Sequence, residues 1–578
     1  MIKITINDKS VGVPEDTTIL EAAKSVDVYI PTLCHLNLHN IKNVNTASRC
    51  RICMVEVEGR RNLAPACSTL ITPDMVIKTD TKRTQSARRA VLELFLSNHD
   101  KDCENCYRDG TCELQKLDKE FNTIDDKYHG RKSDFPKDKS SLAFKRNPNR
   151  CILCGRCETM CNEFQTVGVY SKINRGFDTK IATAFDKPIV DSICTFCGQC
   201  VSVCPTAALR EVDNSKEVLE VLKDEDKYVI VQTAPAVRVA LGEAFGIKPG
   251  TDVTGKMVSV LRSMGFKKVF DTNFAADLTV MEETKEFLNR LENNGPLPIL
   301  TSCCPAWVRF IEYQFPSLLD IPSTCKSPHE MFGSIAKTYL AEKLGIDPNK
   351  MIVVSIMPCI AKKHEMAREE LVTNGLKDVD YVLSTRELSK IIKKLDIDFD
   401  SLLDEEFDSP MGESTGAASI FGITGGVIEA VVRNANYILN KEMVNVDFKD
   451  LRGMEGIKEA TVKLGDKELK IAVAHGLSNA RKVLEDIRDG KRDYHAIEIM
   501  ACPSGCIGGG GQPYYLANNP EILKDRAQGI YSIDKNKETR ISSLNEDIMT
   551  LYSEYLGEVG GEKAHHQLHT TYKKRVVD

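Results

Sequence analysis

Cys151-Ile-Leu-Cys154-Gly-Arg-Cys157-Glu-Thr-Met-Cys161 and Cys194-Thr-Phe-Cys197-Gly-Gln-Cys200-Val-Ser-Val-Cys204-Pro205 write one pattern twice. Loops this short let three thiolates converge on one face of an iron–sulfur cubane, while the fourth Cys of each run reaches the other cluster. The expected ligand sets are Cys151, Cys154, Cys157 and Cys204 for one 4Fe-4S cluster, and Cys194, Cys197, Cys200 and Cys161 for a second. Structural zinc is the competing chemistry, and the doubled spacing disfavours it. Asn162 follows Cys161 where Pro is usual, which alters a turn and not a ligand.

The doubled spacing is that of a bacterial two-cluster ferredoxin domain. Toward the N-terminus comes His99-x3-Cys103-x2-Cys106-x5-Cys112. Three Cys and one His also make a structural zinc set. Here a predicted amphipathic helix over 86–98 delivers His99, and cluster motifs flank it on both sides, which favours a 4Fe-4S cluster with one imidazole ligand. Earlier still is Cys34-x15-Cys50-x2-Cys53-x13-Cys67, which is not the plant-type spacing. Four thiolates in a β-rich stretch suit a 2Fe-2S cluster, and a zinc ribbon stays open because tetrahedral sulfur accepts either metal. Within residues 1–80, Ile2–Ile6 alternates as a strand, a second strand resumes over 11–13, and Thr17-Thr18 can cap a helix over 18–25. Residues 125–150 hold eight Lys/Arg against four Asp, punctuated by Pro136 and Pro148. They read as a solvated linker, with a dock for an acidic protein as the alternative.

After about residue 212, apolar runs at 228–232, 298–301, 351–356 and 496–500 alternate with helical segments, the pattern of an α/β domain with a buried sheet. Three of these runs end in cysteine: Cys303 and Cys304, then Cys359, then Cys502 and Cys506. In open α/β sheets ligands gather beyond the carboxyl ends of the strands, where helix N-termini present N–H groups. Cys304, Cys359, Cys502 and Cys506 could therefore meet in one buried pocket. Glycines 508–511 would let backbone approach a bulky group, a mobile turn being the plainer reading. Residues from about 520 to 578 are polar and partly helical, with His565, His566 and His569 read as surface groups.

The 578 residues imply several domains, about three to five at roughly 100–200 residues each. With 42% hydrophobic and 28% charged residues, disorder and collagen-like repeats are excluded. No apolar run approaches the roughly 18 residues of a membrane span, and the start lacks signal-peptide regions, so a cytoplasmic protein is expected. A net charge of −6 argues against non-specific nucleic-acid binding. In a reducing compartment, 21 clustered Cys point to metals rather than disulfides.

Thr301-Ser-Cys-Cys-Pro-Ala-Trp307, Met357-Pro-Cys-Ile-Ala-Lys-Lys-His-Glu365 and Glu498-Ile-Met-Ala-Cys-Pro-Ser-Gly-Cys-Ile-Gly-Gly-Gly-Gly-Gln-Pro513 resemble the three signature motifs of the FeFe hydrogenases. The resemblance covers essentially the whole chain and matches the monomeric form with four accessory clusters. The N-terminal part also resembles the cluster-bearing subunit of respiratory NADH dehydrogenase, which implies the 2Fe-2S and His-ligated 4Fe-4S assignments.

The implied fold is multidomain, α+β and α/β. It comprises a β-grasp, plant-ferredoxin-like 2Fe-2S domain over 1–80 and a His-ligated 4Fe-4S domain over 81–125. A linker and two-cluster ferredoxin domain over 126–212 follow, then an α/β catalytic domain over 213–578 whose C-terminal helices resemble a small subunit. The resemblance implies an H-cluster, a 4Fe-4S cubane joined to a diiron subsite bearing CO, cyanide and azadithiolate. Cys304, Cys359, Cys502 and Cys506 would hold the cubane, with Cys506 bridging. Lys362 would hydrogen-bond a cyanide, where position alone suggests an exposed helix lysine. Pro235, Met357, Phe421 and Met500, with Ala234, would line the diiron pocket. Cys303 would exchange protons there, along a path resembling Cys303, a water, Glu286, Ser323, Glu283 and Arg290. Glu283 and Glu286 share a helix face and Arg290 can pair with Glu286, although such a stripe is usually a solvated face.

The implied activity is reversible reduction of protons to H2 with electrons from reduced ferredoxin (or flavodoxin), in anaerobic hydrogen metabolism. Maturation proteins would build the diiron subsite, and the full cofactor set would hold about 20 Fe per chain. Only Cys325 of the 21 cysteines is left without a role. His329 stands where close relatives commonly carry Gln and is expected to alter hydrogen bonding around the diiron unit. The rival readings are a hydrogen-sensing relative and an electron-transfer subunit of a larger complex. The first tends to lack the relay groups present here, and the second leaves the three C-terminal motifs unused.

Overall fold

The computed structural model describes residues 1–36, 48–124, 127–441, 448–465, 467–514 and 521–577. At the N-terminus Ile2–Ile6 pairs antiparallel with Lys9–Val13 and parallel with Val76–Lys78. The sheet continues through Met54–Val57 to Ala64–Pro65. Alternation sends Ile4, Ile6, Val11 and Val13 inward against Ile19, Ala22 and Ala23 of the helix Ile19–Lys24. Thr18 caps that helix in a reciprocal box with Glu21. The helix Lys82–Asn98 starts four residues before its expected range, where Thr81 caps it, and ends at His99.

The two cysteine runs share one backbone. Leu153 and Phe196 both take positive φ (54° and 56°), and Gly155 and Gly198 do so two residues on (78° and 75°). Each glycine opens a short helix, Arg156–Thr159 or Gln199–Ser202.

Of the segment 125–150, whose first two residues lie outside the described ones, 127–142 are mostly exposed as a solvated linker would be, while 143–150 are folded in and correct that reading. Phe144–Arg146 pairs antiparallel with Leu209–Glu211 and closes the unit that carries the two cysteine runs. Arg146 is buried, bonded to the Ile181 carbonyl at 2.7 Å and to Asp186 at 3.2 Å. Charge alone suggested solvent, but a strand needs only its alternate residues turned inward. Lys137 and Lys139 do stay exposed.

The C-terminal half holds two four-stranded sheets where one was expected. The first is all parallel, in the order Lys268–Asp271, Tyr228–Thr233, Met351–Met357 and Tyr381–Ser384. The second runs Ile299–Leu300, Ala496–Met500, Lys467–His475 and Ile457–Leu464, the last strand antiparallel. The long helix Thr272–Glu292, capped by Asp271, is buried along most of its length. Among the described residues no helix is long and apolar enough to cross a membrane.

Candidate active site

Four strand ends converge on one cavity. Thr233 leads into Ala234 and Pro235, Leu300 into Cys303 and Cys304, Met357 into Cys359, and Met500 into Cys502 and Cys506. Together with Lys362 and Phe421, these residues border about 790 Å3 of empty space. Pro305 opens the helix Pro305–Gln314 directly after Cys304, and Trp307 Nε1 donates to the Thr301 carbonyl at 2.9 Å, which closes the turn. The glycine run is a close-packed wall and not a mobile turn. A Cβ on Gly509 would fall 2.2 Å from the Pro358 carbonyl, and one on Gly510 would fall 2.6 Å from the Cys197 carbonyl.

The four thiols suit a soft metal group. Burial pushes Cys506 up to about 12 and raises Cys304, Cys359 and Cys502 as well. As thiolates in this dry wall they would be costly unpaired charges, and an iron–sulfur cluster supplies the compensating cations. Lys362 is the cation already present. It is buried, not an exposed helix lysine, with Nζ 2.6 Å from Glu365 Oε2 and 3.2 Å from the Cys303 carbonyl. Burial opposes ionisation of Glu365, but Lys362 and His329 outweigh it and hold the carboxyl well below its usual range.

Cys303 borders the same cavity beside Cys304. Burial pushes its thiol well up, and the charge of Glu283 adds to the shift. This reverses the expected order of the two carboxyls. The charge that acts on Cys303 is that of Glu283 and not that of Glu286. Glu286 is held at the far end by Arg290 at 2.5 Å, and Ser323 Oγ donates to it at 2.9 Å. Both Glu283 carboxylate oxygens are buried without a hydrogen-bond partner, yet Ser323 still lowers the Glu283 carboxyl, so the electrostatic order runs Cys303, Glu283, Ser323, Glu286, Arg290. Burial, with the charge of Glu286, pushes Glu283 up to about 8, so it is mostly protonated at neutral pH.

The cysteines of the two paired runs border two separate pockets. Cys151, Cys154, Cys157 and Cys204 border one pocket of about 470 Å3. Cys161, Cys194, Cys197 and Cys200 border another of about 320 Å3. Cys197 is close enough to Cys304 and Cys502 for their charges to act on one another. Near the N-terminus, Cys34 lies within hydrogen-bonding reach of Cys50 and Cys67, and Cys53 within reach of Cys67. His99 is buried with Nδ1 unpartnered, and burial lowers it to about 4, leaving a neutral imidazole of the kind that binds metal. Cys103 is exposed, while Cys106 and Cys112 are half-buried.

Several groups escaped the sequence reading. Glu365 closes one quoted motif and Glu498 opens another, yet neither received a role. Glu498 is buried, accepts N–H bonds from Gly425, Val427 and Ile428, and is still raised to about 7 by burial. His329 borders the cavity and meets Glu365 at 2.8 Å and Glu330 at 3.0 Å. His569 is no surface group. Its side chain is 5% exposed and lies 2.7 Å from Thr324 Oγ1 and 3.0 Å from Glu282. Only a pairing across 245 residues brings it there, which local pattern cannot reveal.

Residues 227–510 match the family model of the iron only hydrogenase large subunit, C-terminal domain, and 520–575 that of the iron hydrogenase small subunit. Residues 1–82 match a 2Fe-2S iron-sulfur cluster binding domain. Residues 88–125 match the NADH-ubiquinone oxidoreductase-G iron-sulfur binding region, and 142–208 a 4Fe-4S dicluster domain. The chain is 55% identical to the NADP-reducing hydrogenase subunit HndD of Solidesulfovibrio fructosivorans, over 100% of this chain and 99% of that protein. It is 40% identical to iron hydrogenase 1 of Clostridium pasteurianum, over 99% and 100% respectively. A solved apo FeFe hydrogenase from Chlamydomonas reinhardtii covers 63% of this chain and 100% of its own, with 38% identity and a TM-score of 0.58. Matches along the full length, meeting at a cavity walled by the three signature motifs, show that this chain belongs to the iron-only (FeFe) hydrogenases, with iron–sulfur domains ahead of the catalytic one.

Proposed function

We propose that the chain interconverts protons and H2 at an H-cluster that Cys304, Cys359, Cys502 and Cys506 would hold. The observation that carries this reading is the cavity itself, which sets four ligand thiols, a fifth thiol and one buried ammonium around a single space. When bound, the metal groups supply electron transfer and the two-electron chemistry of hydrogen. The chain's own residues position the group and move protons. Cys303 gives and takes a proton at the cavity wall. Glu283 and Ser323 carry it to Glu286, which Arg290 orients near the surface. Lys362 offers its ammonium to an anionic cyanide, and Ala234, Pro235, Met357, Phe421 and Met500 keep the diiron side apolar and dry.

The division at 1–80, 81–125, 126–212 and 213–578 assigns a 2Fe-2S cluster to Cys34, Cys50, Cys53 and Cys67 in a β-grasp domain. The mixed five-strand order of that sheet supports it. One 4Fe-4S cluster belongs to His99, Cys103, Cys106 and Cys112, and two to the paired cysteine runs in a ferredoxin-like domain. Reduced ferredoxin is the proposed electron partner, and maturation proteins supply the diiron unit. A cytoplasmic setting, where clustered thiols stay reduced, suits the 21 Cys. The identity to a protein named as an NADP-reducing subunit favours a second reading of the electron partner, a companion subunit in place of free ferredoxin. Matured chain should evolve H2 from reduced viologen, and no evolution would refute the activity. Evolution from reduced ferredoxin by the isolated chain would decide for the first partner, and evolution from viologen alone for the second.

A further inference from the structure

Cys325 is fully buried and takes no part in the ligand sets or the relay. Its segment meets the C-terminal segment in an isolated antiparallel bridge, which sets Cys325 and His569 opposite one another. Lys326 N–H donates to the Leu568 carbonyl at 2.8 Å, and Thr570 N–H to the Thr324 carbonyl at 2.7 Å, which fixes the register. Residues opposed in this way project their side chains to one side of the pair. Glu286 completes the group, with Oε2 4.0 Å from Cys325 Sγ. One ligand atom from each of Glu286, Cys325 and His569 lies within 4.8 Å of the other two.

We propose that Glu286, Cys325 and His569 form a binding site for one zinc-class divalent cation. Thiolate, imidazole and carboxylate together suit zinc, whereas magnesium and calcium prefer oxygen alone. Bonds of about 2.0–2.3 Å draw such ligands closer than they stand here, a contraction that side-chain rotation can supply. Glu282 lies 3.0 Å from His569 Nε2, the carboxylate-on-histidine arrangement that orients a metal-binding ring and raises its basicity. Nδ1 is then the coordinating atom, and the Thr324 hydroxyl, 2.7 Å away, turns aside. Binding exchanges the Cys325 thiol proton, released to solvent, for a sulfur–metal bond. The Glu286 side chain is 14% exposed, and His565, stacked 4.5 Å from His569, is exposed, so the site opens to the surface.

Occupancy has a functional consequence, which rests on the relay reading above: a metal-bound Glu286 cannot pass protons. The test equilibrates the matured enzyme with zinc ions, removes loose metal, and measures both zinc per chain and hydrogen evolution from reduced viologen. Wild type is expected to hold about one zinc more than Cys325→Ala or His569→Gln. Its turnover should fall by roughly 100-fold, the scale of a lost proton-transfer group, and return when a chelator removes the zinc. Cys325→Ala should turn over normally and resist zinc. Equal zinc in wild type and both variants overturns the site. Extra zinc in wild type with unchanged turnover upholds the site and refutes the relay through Glu286.

Discussion

The pocket bordered by Cys161, Cys194, Cys197 and Cys200 spans about 320 Å3 of empty space, whereas the cavity bordered by Cys304, Cys359, Cys502 and Cys506 spans about 790 Å3, both partly open to solvent. Beyond its thiols, the smaller pocket is walled by apolar and amide groups such as Phe144, Met160, Val167 and Gln199. The larger one adds Cys303, Lys362 and His329, and behind them a line of carboxyls leading outward. Four thiolates and a dry wall are enough for a site that only stores and passes electrons. A site that also handles protons needs extra room, a cation and groups that titrate. The two lie side by side, with Gly510 packed against the Cys197 carbonyl.

The strongest way to break this comparison is to remove a ligand from the larger site alone. Cys304→Ser should abolish hydrogen evolution and lower iron by about six per chain, leaving the other clusters in place. Loss of all iron would show that the two sites are not separable.

Glu283→Gln tests the second requirement. Turnover should fall by roughly 100-fold or more with iron unchanged, because an amide cannot relay protons. A stability signature accompanies it. The folded Glu283 carboxyl at about 8 lies above its ordinary value of 4.5, so the native state binds the proton more tightly than the unfolded chain. That contribution is complete below about pH 4.5 and is lost as pH rises through about 8. Wild-type Tm should therefore drop more between pH 6 and 9 than that of Glu283→Gln, and parallel curves would contradict the buried neutral acid.

A smaller effect sharpens the role of the cavity's edge. His329→Gln removes an imidazole held between Glu330 and Glu365, and Glu365 in turn holds Lys362. The CO and cyanide infrared bands of matured enzyme should shift with little change in turnover, and identical bands at every pH would remove His329 from the site's electrostatics.

The smallest effect concerns the surface. Neutralising exposed Lys137 and Lys139 should raise the KM for ferredoxin and flatten its salt dependence, since exposed charges are screened within about 8 Å at physiological ionic strength. An unchanged KM would reject this docking surface. Arg146 is no part of the test, because its charge is spent inside the fold on Asp186.

The cysteine sites were legible because cluster geometry forces short, fixed loops, and spacing survives in one dimension. Strand ends at Met357 and Met500 were legible for a similar reason, as apolar runs stop where the ligands begin. The order of Glu283 and Glu286 was not. Residues at i and i+3 share a face, but only tertiary packing says which end meets Cys303. The division into two sheets and the placement of His569 were hidden in the same way. Arg386, which pairs with Glu211 across 175 residues and clamps the Gly510 and Gln512 carbonyls, carried no local sign of its task.

Cys303 lies where the two requirements meet, next to a proposed ligand and in the field of Glu283. Its substitution to serine keeps size and polarity but replaces the thiol with a far weaker acid, which cannot give up its proton for relay. Cys303→Ser, matured alongside wild type, should keep full iron content and the CO and cyanide infrared bands while losing nearly all hydrogen turnover, with Cys303→Asp recovering part of it. Loss of iron in Cys303→Ser with an intact cluster in Cys304→Ser would reverse the two roles and contradict the account at its centre.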